Sequence, residues 1–454
     1  MTPPSLRAAA CAFALLAVCA APARASDAFE DPALATQVTV LENGLTVLTL
    51  EDHTTPVVSW QVWVKVGAGD EARYTGLAHL FEHMMFRGSK NLPPEAHGRL
   101  IGDRGGRVNA FTSLDVTVYF ADITREHLPL VVELEAERLK HLDISEESLA
   151  SERQVVLEER RLRTEDDPEG RGFEALLATT FVAHPYRVPT IGWRSDIEAV
   201  DVETCMRFFR DYYAANNLVI AVAGDFDTEE LIALVRRHLG DLHTAEKIPR
   251  NPTLEPEQRG ERRAVVHFDV QAPVLAAAWH APQAGHADAP ALDVLSEVLS
   301  VGRTSRLYRR LVYEEQKALG AAGAYWELQR AGVFYAYAAV RPDAAIGEVE
   351  DIVFEEIERL GREPITPEEL EKAKRTLEVG LIRGLRTSYA LASRIGRDTV
   401  TFGRIRPLEE RLEEIRAVTA EDVQRVASTY LRPERRTVVS VVAPPGEPAA
   451  EARP

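Results

Sequence analysis

The chain has 454 residues, 45% hydrophobic, 27% charged and 7% aromatic, a globular composition with length for two to three domains of about 150 residues each. Its formal net charge of −18 disfavours a nucleic-acid partner, because a phosphate backbone is bound by a basic face.

The first 25 residues read as a signal peptide. Arg7 supplies a positive start, Ala8 to Ala21 an apolar stretch too short to span a bilayer, and Ala23-Arg24-Ala25 a small-residue cleavage site. A lipoprotein anchor at Cys19 is the rival reading, but the bulky Val18 before it fits lipid attachment poorly. Export is therefore expected, to a bacterial periplasm. The mature chain would keep Cys205 alone, so no internal disulfide is expected, and no other run is apolar and long enough for a membrane span.

The mature part opens with a hairpin, Val38 to Leu41 and Leu45 to Leu48 around the turn dipeptide Asn43-Gly44, and Val57 to Val66 reads as a further strand. His79-Leu80-Phe81-Glu82-His83 follows, on a helix that Thr75 could cap and Gly88 could end. At about 100° per residue, His79, Glu82 and His83 share one face, while Leu77, Leu80, Phe81, Met84 and Met85 are apolar. Two imidazoles one turn apart suit a zinc ion, leaving the carboxylate to handle the proton of an attacking water.

A third ligand is expected from the helix Ser145 to Arg163. There Leu149, Glu152, Val155, Val156, Glu159 and Leu162 fall on one stripe about 140° wide. Glutamates on an apolar face are costly unless paired or bound to metal. Glu158 points away from the stripe, so Glu159 is preferred as the ligand.

The end of the first half echoes the end of the chain. Ile197 to Val200, a helix to Tyr212 and the strand Leu218 to Ala223 recur as Ile415 to Val418, a helix to Tyr430 and the strand Thr437 to Val442, an offset of 218 residues. The expected organisation is a signal peptide (1–25), a first domain (26–245) and a polar, proline-bearing linker (246–263). A second domain (264–443) and a disordered tail (444–454) complete it. The fold class is α+β: two homologous domains, each an antiparallel-rich sheet with helices packed on it. His267 and His280, in apolar strands of the second half, are expected in the core.

The pentapeptide with its distant glutamate resembles the pitrilysin family, the inverted-motif zinc peptidases that include insulin-degrading enzyme and the mitochondrial processing peptidases. His79, Glu82 and His83 match its motif, and Glu159 stands 76 residues beyond His83, which suits the family. The resemblance extends to Gly105 to Thr112 with Asp115 and Tyr119, to His184-Pro185-Tyr186, to Asn216-Asn217 and to Ser305 to Tyr308, and covers about residues 35 to 443. It implies two domains closing over a chamber and one zinc per chain on His79, His83 and Glu159. Glu82 would be the general base and Glu152 a supporting glutamate of the catalytic site. An extended peptide would dock along Asn109, Ala110 and Phe111.

One departure stands out. Self-sufficient members carry an arginine and a tyrosine seven residues apart in the second half, whereas Val312 stands at the arginine's place and no tyrosine follows at the matching position. This pattern is similar to the zinc-bearing subunit of two-subunit relatives, and implies a homologous partner that supplies the pair. The expected function is a zinc endopeptidase acting on peptides or unfolded segments. The alternative is a non-catalytic, core-like scaffold or peptide-binding subunit, although such members typically lack part of the metal motif.

Overall fold

Among the described residues, eleven strands divide between two sheets that repeat one plan. A computed structural model describes residues 31–446, so the proposed signal peptide and the tail from residue 447 lie outside the described residues. The strands are β1 (Gln37–Val40), β2 (Thr46–Glu51), β3 (Val57–Val64), β4 (Arg107–Thr112), β5 (Thr117–Thr124) and β6 (Leu218–Gly224) in the first half. β7 (Arg262–His267), β8 (Val274–Ala281), β9 (Ala318–Trp326), β10 (Gly332–Val340) and β11 (Arg436–Val442) form the second. The sheet orders are β1-β2-β6-β3-β5-β4 and β7-β11-β8-β10-β9. Removing β1 makes them superimposable as sequences of pairings: each has one parallel pair, β2 with β6 and β7 with β11, and antiparallel pairs elsewhere.

The turn at Asn43-Gly44 forms as its sequence requires. Gly44 adopts φ +82°, a left-handed conformation open to glycine, and β1 pairs β2 in register from Gln37–Thr49 to Val40–Thr46.

β3 is buried on both faces over nearly its whole length, which explains a run as continuously apolar as Val-Val-Ser-Trp-Gln-Val-Trp-Val. Trp60, Val62 and Val64 face the large core under the first-half helices. Trp63 faces the other way, against Leu391, Ala392 and Ile395 on the helix Ser388–Phe402, which comes from the second half. Gln61 on that side donates to the Ser393 hydroxyl at 2.9 Å and the Tyr389 carbonyl at 3.1 Å. The converse holds across the molecule. Helix Pro168–Thr180 of the first half lays Leu176 and Leu177 against Ala276, Ala278 and Val439 of the second sheet. Each half therefore lends one helix to the other's sheet, and the two sheets with their helices enclose a chamber.

Two local expectations meet a different outcome. Arg262 and Arg263, assigned to the linker, open β7, because they pair with Thr437 and Val438 of β11. The rest of the linker is strapped down: Glu255 accepts the amides of Val182, Ala183 and His184, and Arg250 donates to Asn217. His280 is half-buried against the Thr180 carbonyl at 2.9 Å, but His267 is exposed, since β7 is the outer strand of its sheet. Among the described residues no helix is long and apolar enough to cross a membrane.

Ile395 is fully buried on the lent helix, so Ile395→Ala is expected to lower unfolding free energy by about 2–5 kcal/mol in chemical denaturation. Val379→Ala, on an exposed helix face, should change it by no more than about 0.5 kcal/mol.

Candidate metal centre and cleft

The helix Leu77–Met84 buries Leu77, Ala78, Leu80, Phe81 and Met84, and turns His79, Glu82 and His83 to the opposite face. Phe81 anchors it among Phe208, Phe209 and Tyr213. Its start differs from the sequence expectation. Thr75 is not the cap: its hydroxyl donates to Asp196 at 2.7 Å. The amides of Gly76 and Ala78 are instead taken by the buried Glu71 side chain at 2.8 and 2.7 Å, satisfying donors that the helix start leaves free. Gly76 crosses Gly192 so closely that a Cβ on Gly192 would lie 2.4 Å from the Gly76 Cα. The helix ends at Met84 in a tightened turn rather than at Gly88, and that turn carries Arg87 back towards the site.

The second helix, Glu146–Arg160, starts at the Ser145 cap and buries Leu149, Glu152, Val156 and Leu157. Val155 and Leu162, expected on the same stripe, are 47% and 56% exposed. The buried stripe is narrower than the sequence implied, and at Arg161–Glu165 the helix widens into a π-turn that rotates Leu162 outward. Glu152 and Glu159 keep the inward face, and Glu158 is exposed.

These two helices bring the expected ligands together. One Glu159 oxygen, Oε2, lies 3.3 Å from His83 Nε2 and 3.7 Å from His79 Nε2, and the three donor atoms lie within 4.8 Å of one another. Ligand atoms about 2.0–2.2 Å from a tetrahedral zinc stand roughly 3.3–3.5 Å apart, so the nitrogen, nitrogen, oxygen set suits the ion in chemistry and the two Glu159 separations come close to its spacing. The carboxylates divide their labour. Glu159 anchors its other oxygen on Arg163 Nη1 at 2.6 Å. Glu152 accepts from His83 Nδ1 at 2.8 Å and from Arg87 Nε at 2.6 Å, which fixes the ring with Nε2 turned to the centre. Glu82 Oε2 accepts the Thr112 hydroxyl at 2.6 Å.

Burial opposes charge throughout the site. It raises the Glu82 carboxyl above its ordinary range against the opposing Thr112 hydrogen bond. Burial also opposes protonation of His83, but hydrogen bonds to Glu152 and Glu159 prevail and lift it to about 9. His79 is held well below the usual imidazole range by burial and by the neighbouring His83. The hydrogen bond from His83 holds Glu159 low.

All eight residues singled out for the site, His79, Glu82, His83, Asn109, Ala110, Phe111, Glu152 and Glu159, line one cleft of about 780 Å³. β4 is an edge strand that pairs only with β5, leaving its outer backbone groups beside the metal centre. Periodicity did not single out Arg87, Arg163 or Thr112 as partners of the carboxylates. A basic residue four positions beyond each of His83 and Glu159 was the signal available for the two arginines. From the second half, Trp326 reaches the cleft and sits 5.9 Å from Phe173 between ring centroids. Val312 packs instead against the second core, Tyr313 is exposed to solvent, and Tyr325 donates to the Pro282 carbonyl.

Residues 46–193 match the family model described as insulinase (peptidase family M16), and residues 199–377 the one described as the peptidase M16 inactive domain. The chain is 32% identical over 404 residues to the zinc protease PqqE of Helicobacter pylori, covering 88% of this chain and 91% of that protein. It is 32% identical over 426 residues to an uncharacterised zinc protease of Mycobacterium tuberculosis, covering 93% and 96%. The crystal structure of a protease from Helicobacter pylori matches with a TM-score of 0.87 at 31% identity, over 90% of this chain and 99% of that one.

His83→Ala or Glu159→Ala is expected to abolish zinc binding measured by metal analysis, and Glu152→Gln to weaken it about 10- to 100-fold. Because His83 must shed its proton to bind metal, zinc affinity should climb with pH until it levels off near 9.

Proposed function

The chain belongs to the insulinase family of M16 peptidases, and on that footing we propose that it is a zinc-dependent endopeptidase, the catalytic subunit of a heterodimer. The observation that carries the reading is the convergence of His79, His83 and Glu159 on one point, with the Glu82 carboxylate on the same helix face and a free strand edge alongside. His79, His83 and Glu159 would hold one zinc per chain, with His83 oriented by Glu152. When bound, zinc would supply Lewis acidity for the scissile carbonyl and for activating water near neutral pH.

Glu82 takes the proton of the attacking water and returns it to the leaving amine. Thr112 occupies one Glu82 oxygen and leaves the other for the proton, and the raised carboxyl pKa brings the base closer to working pH. A peptide bound extended beside β4 is held largely by backbone hydrogen bonds, which favours unfolded segments over folded domains.

The second half places no arginine–tyrosine pair among the residues lining the cleft, which supports a homologous partner that brings one. The N-terminal segment would export the chain to the periplasm.

Hydrolysis of a mixed quenched-peptide library by the mature chain with zinc, against Glu82→Gln, tests this. Glu82→Gln should keep zinc and lose at least about 10²- to 10⁴-fold in turnover. Zinc binding with little hydrolysis by the chain alone is the expected result for a partner-dependent subunit. Full activity as a monomer would remove the partner, and absence of both zinc and activity would favour a scaffold.

A further inference from the structure

The turn between β9 and β10, residues 327–331, enters the first half beside the loop that joins β4 to β5. Asp115 in that loop accepts the Gln329 amide at 3.0 Å and the Tyr186 hydroxyl, while the Tyr186 oxygen accepts the Arg330 amide at 3.2 Å. The Arg330 guanidinium lies 3.4 Å from Asp70 and 3.6 Å from Asp115, over the Tyr186 ring at 5.2 Å from its centroid. Both aspartates are almost wholly buried.

The same loop is held from its other side. Ala68 and Gly69 donate their amides to the carbonyls of Ser113 and Leu114 at 3.0 and 2.8 Å. Arg330 fills the remaining space: a Cβ on Gly69 would come within 2.1 Å of its Nη2. The loop begins directly after Thr112, whose hydroxyl holds Glu82, and Leu114 within it lines the cleft.

We infer that Arg330 is a positioning residue: by neutralising and fixing Asp115 it holds the loop after β4, and through it Thr112 and the docking edge, in the working arrangement. The site is thereby complete only when the second half is seated on the first. The catalytic part of this inference rests on the reading of Glu82 as the base.

Electrostatics makes Arg330 the sensitive member. If it is removed, Asp70 retains Arg250 at 3.5 Å, whereas Asp115 keeps only neutral hydrogen-bond donors in contact, with Lys65 and Arg250 in the same cavity but beyond ion-pair distance. A buried carboxylate without a cation is strongly disfavoured, and opening the loop to water is the easiest relief. The strain therefore falls on the loop that carries the β4 edge.

Hydrogen exchange on the full-length mature chain tests the inference directly. Arg330→Ala should raise exchange in peptides covering residues 107–116 by about tenfold or more, leaving those in β3 and β6 unchanged. Arg330→Lys, which keeps a cation, should restore much of the protection. Unaltered exchange in 107–116, or a uniform rise across the first sheet, would overturn it.

Peptide hydrolysis at matched zinc content gives the catalytic half of the test. Arg330→Ala should lower kcat about tenfold through Thr112 and raise KM through the loosened docking edge, and its effect on kcat should add almost nothing in a Thr112→Val background. Multiplicative losses in the double variant would show that Arg330 does not act through Thr112. Exchange needs no turnover, so the exchange pattern decides the positioning of the loop even where the chain alone binds zinc and hydrolyses little, and only absence of both zinc and activity counts against the peptidase reading.

Discussion

A carboxylate that has lost its water must find positive charge, and the first half of this protein is arranged around that requirement at Glu152 and Glu159. Each spends one oxygen on an imidazole and the other on an arginine, Arg87 or Arg163. The opposed behaviour of the two histidines shows that the balance is incomplete: His83 is pulled towards protonation by the carboxylates while burial and His83 itself keep His79 neutral. A divalent cation between them satisfies both rings and Glu159 at once, which a single proton cannot do. The caps, turns and aromatic anchors of the two helices serve to hold those groups within a few ångströms.

The exchanged helices give this centre its enclosure. Ser388–Phe402 seals the far face of the first sheet and Pro168–Thr180 the corresponding face of the second. The helix lent by the first half starts three residues after the π-turn that follows Glu159, and it brings Phe173 and Leu177 into the cleft. The covering of the second core and the wall of the cleft are thus made by one segment, so the halves are packed as a unit rather than tethered by the linker.

The repeat shows how one scaffold can carry two chemistries. Between the second and third strands of the shared plan, the first half places His79, Glu82 and His83. The second places Ala289–Ser300, a helix that buries Leu292, Val294, Leu295, Val298 and Leu299. The strand pairings are retained while the polar face is replaced by core. Among the described residues the first half alone gathers a metal-ligating group.

The sequence by itself determined the helix faces, the turn at Asn43-Gly44 and the 218-residue echo, because these follow from local geometry and periodicity: 3.6 residues per helical turn, two per strand, positive φ at glycine. His79, Glu82, His83, Glu152 and Glu159 were legible for that reason, since their spacing alone puts them on inward faces. Tertiary structure decided which partner each carboxylate oxygen meets, that Glu71 rather than Thr75 caps the motif helix, that Leu162 turns outward, and that Trp326 and Arg330 cross from the second half. Those outcomes depend on contacts between segments separated by anything from four residues to more than two hundred. No repeat or hydrophobic period encodes such contacts; they are fixed only when packing and the desolvation of charge are resolved together across the whole fold.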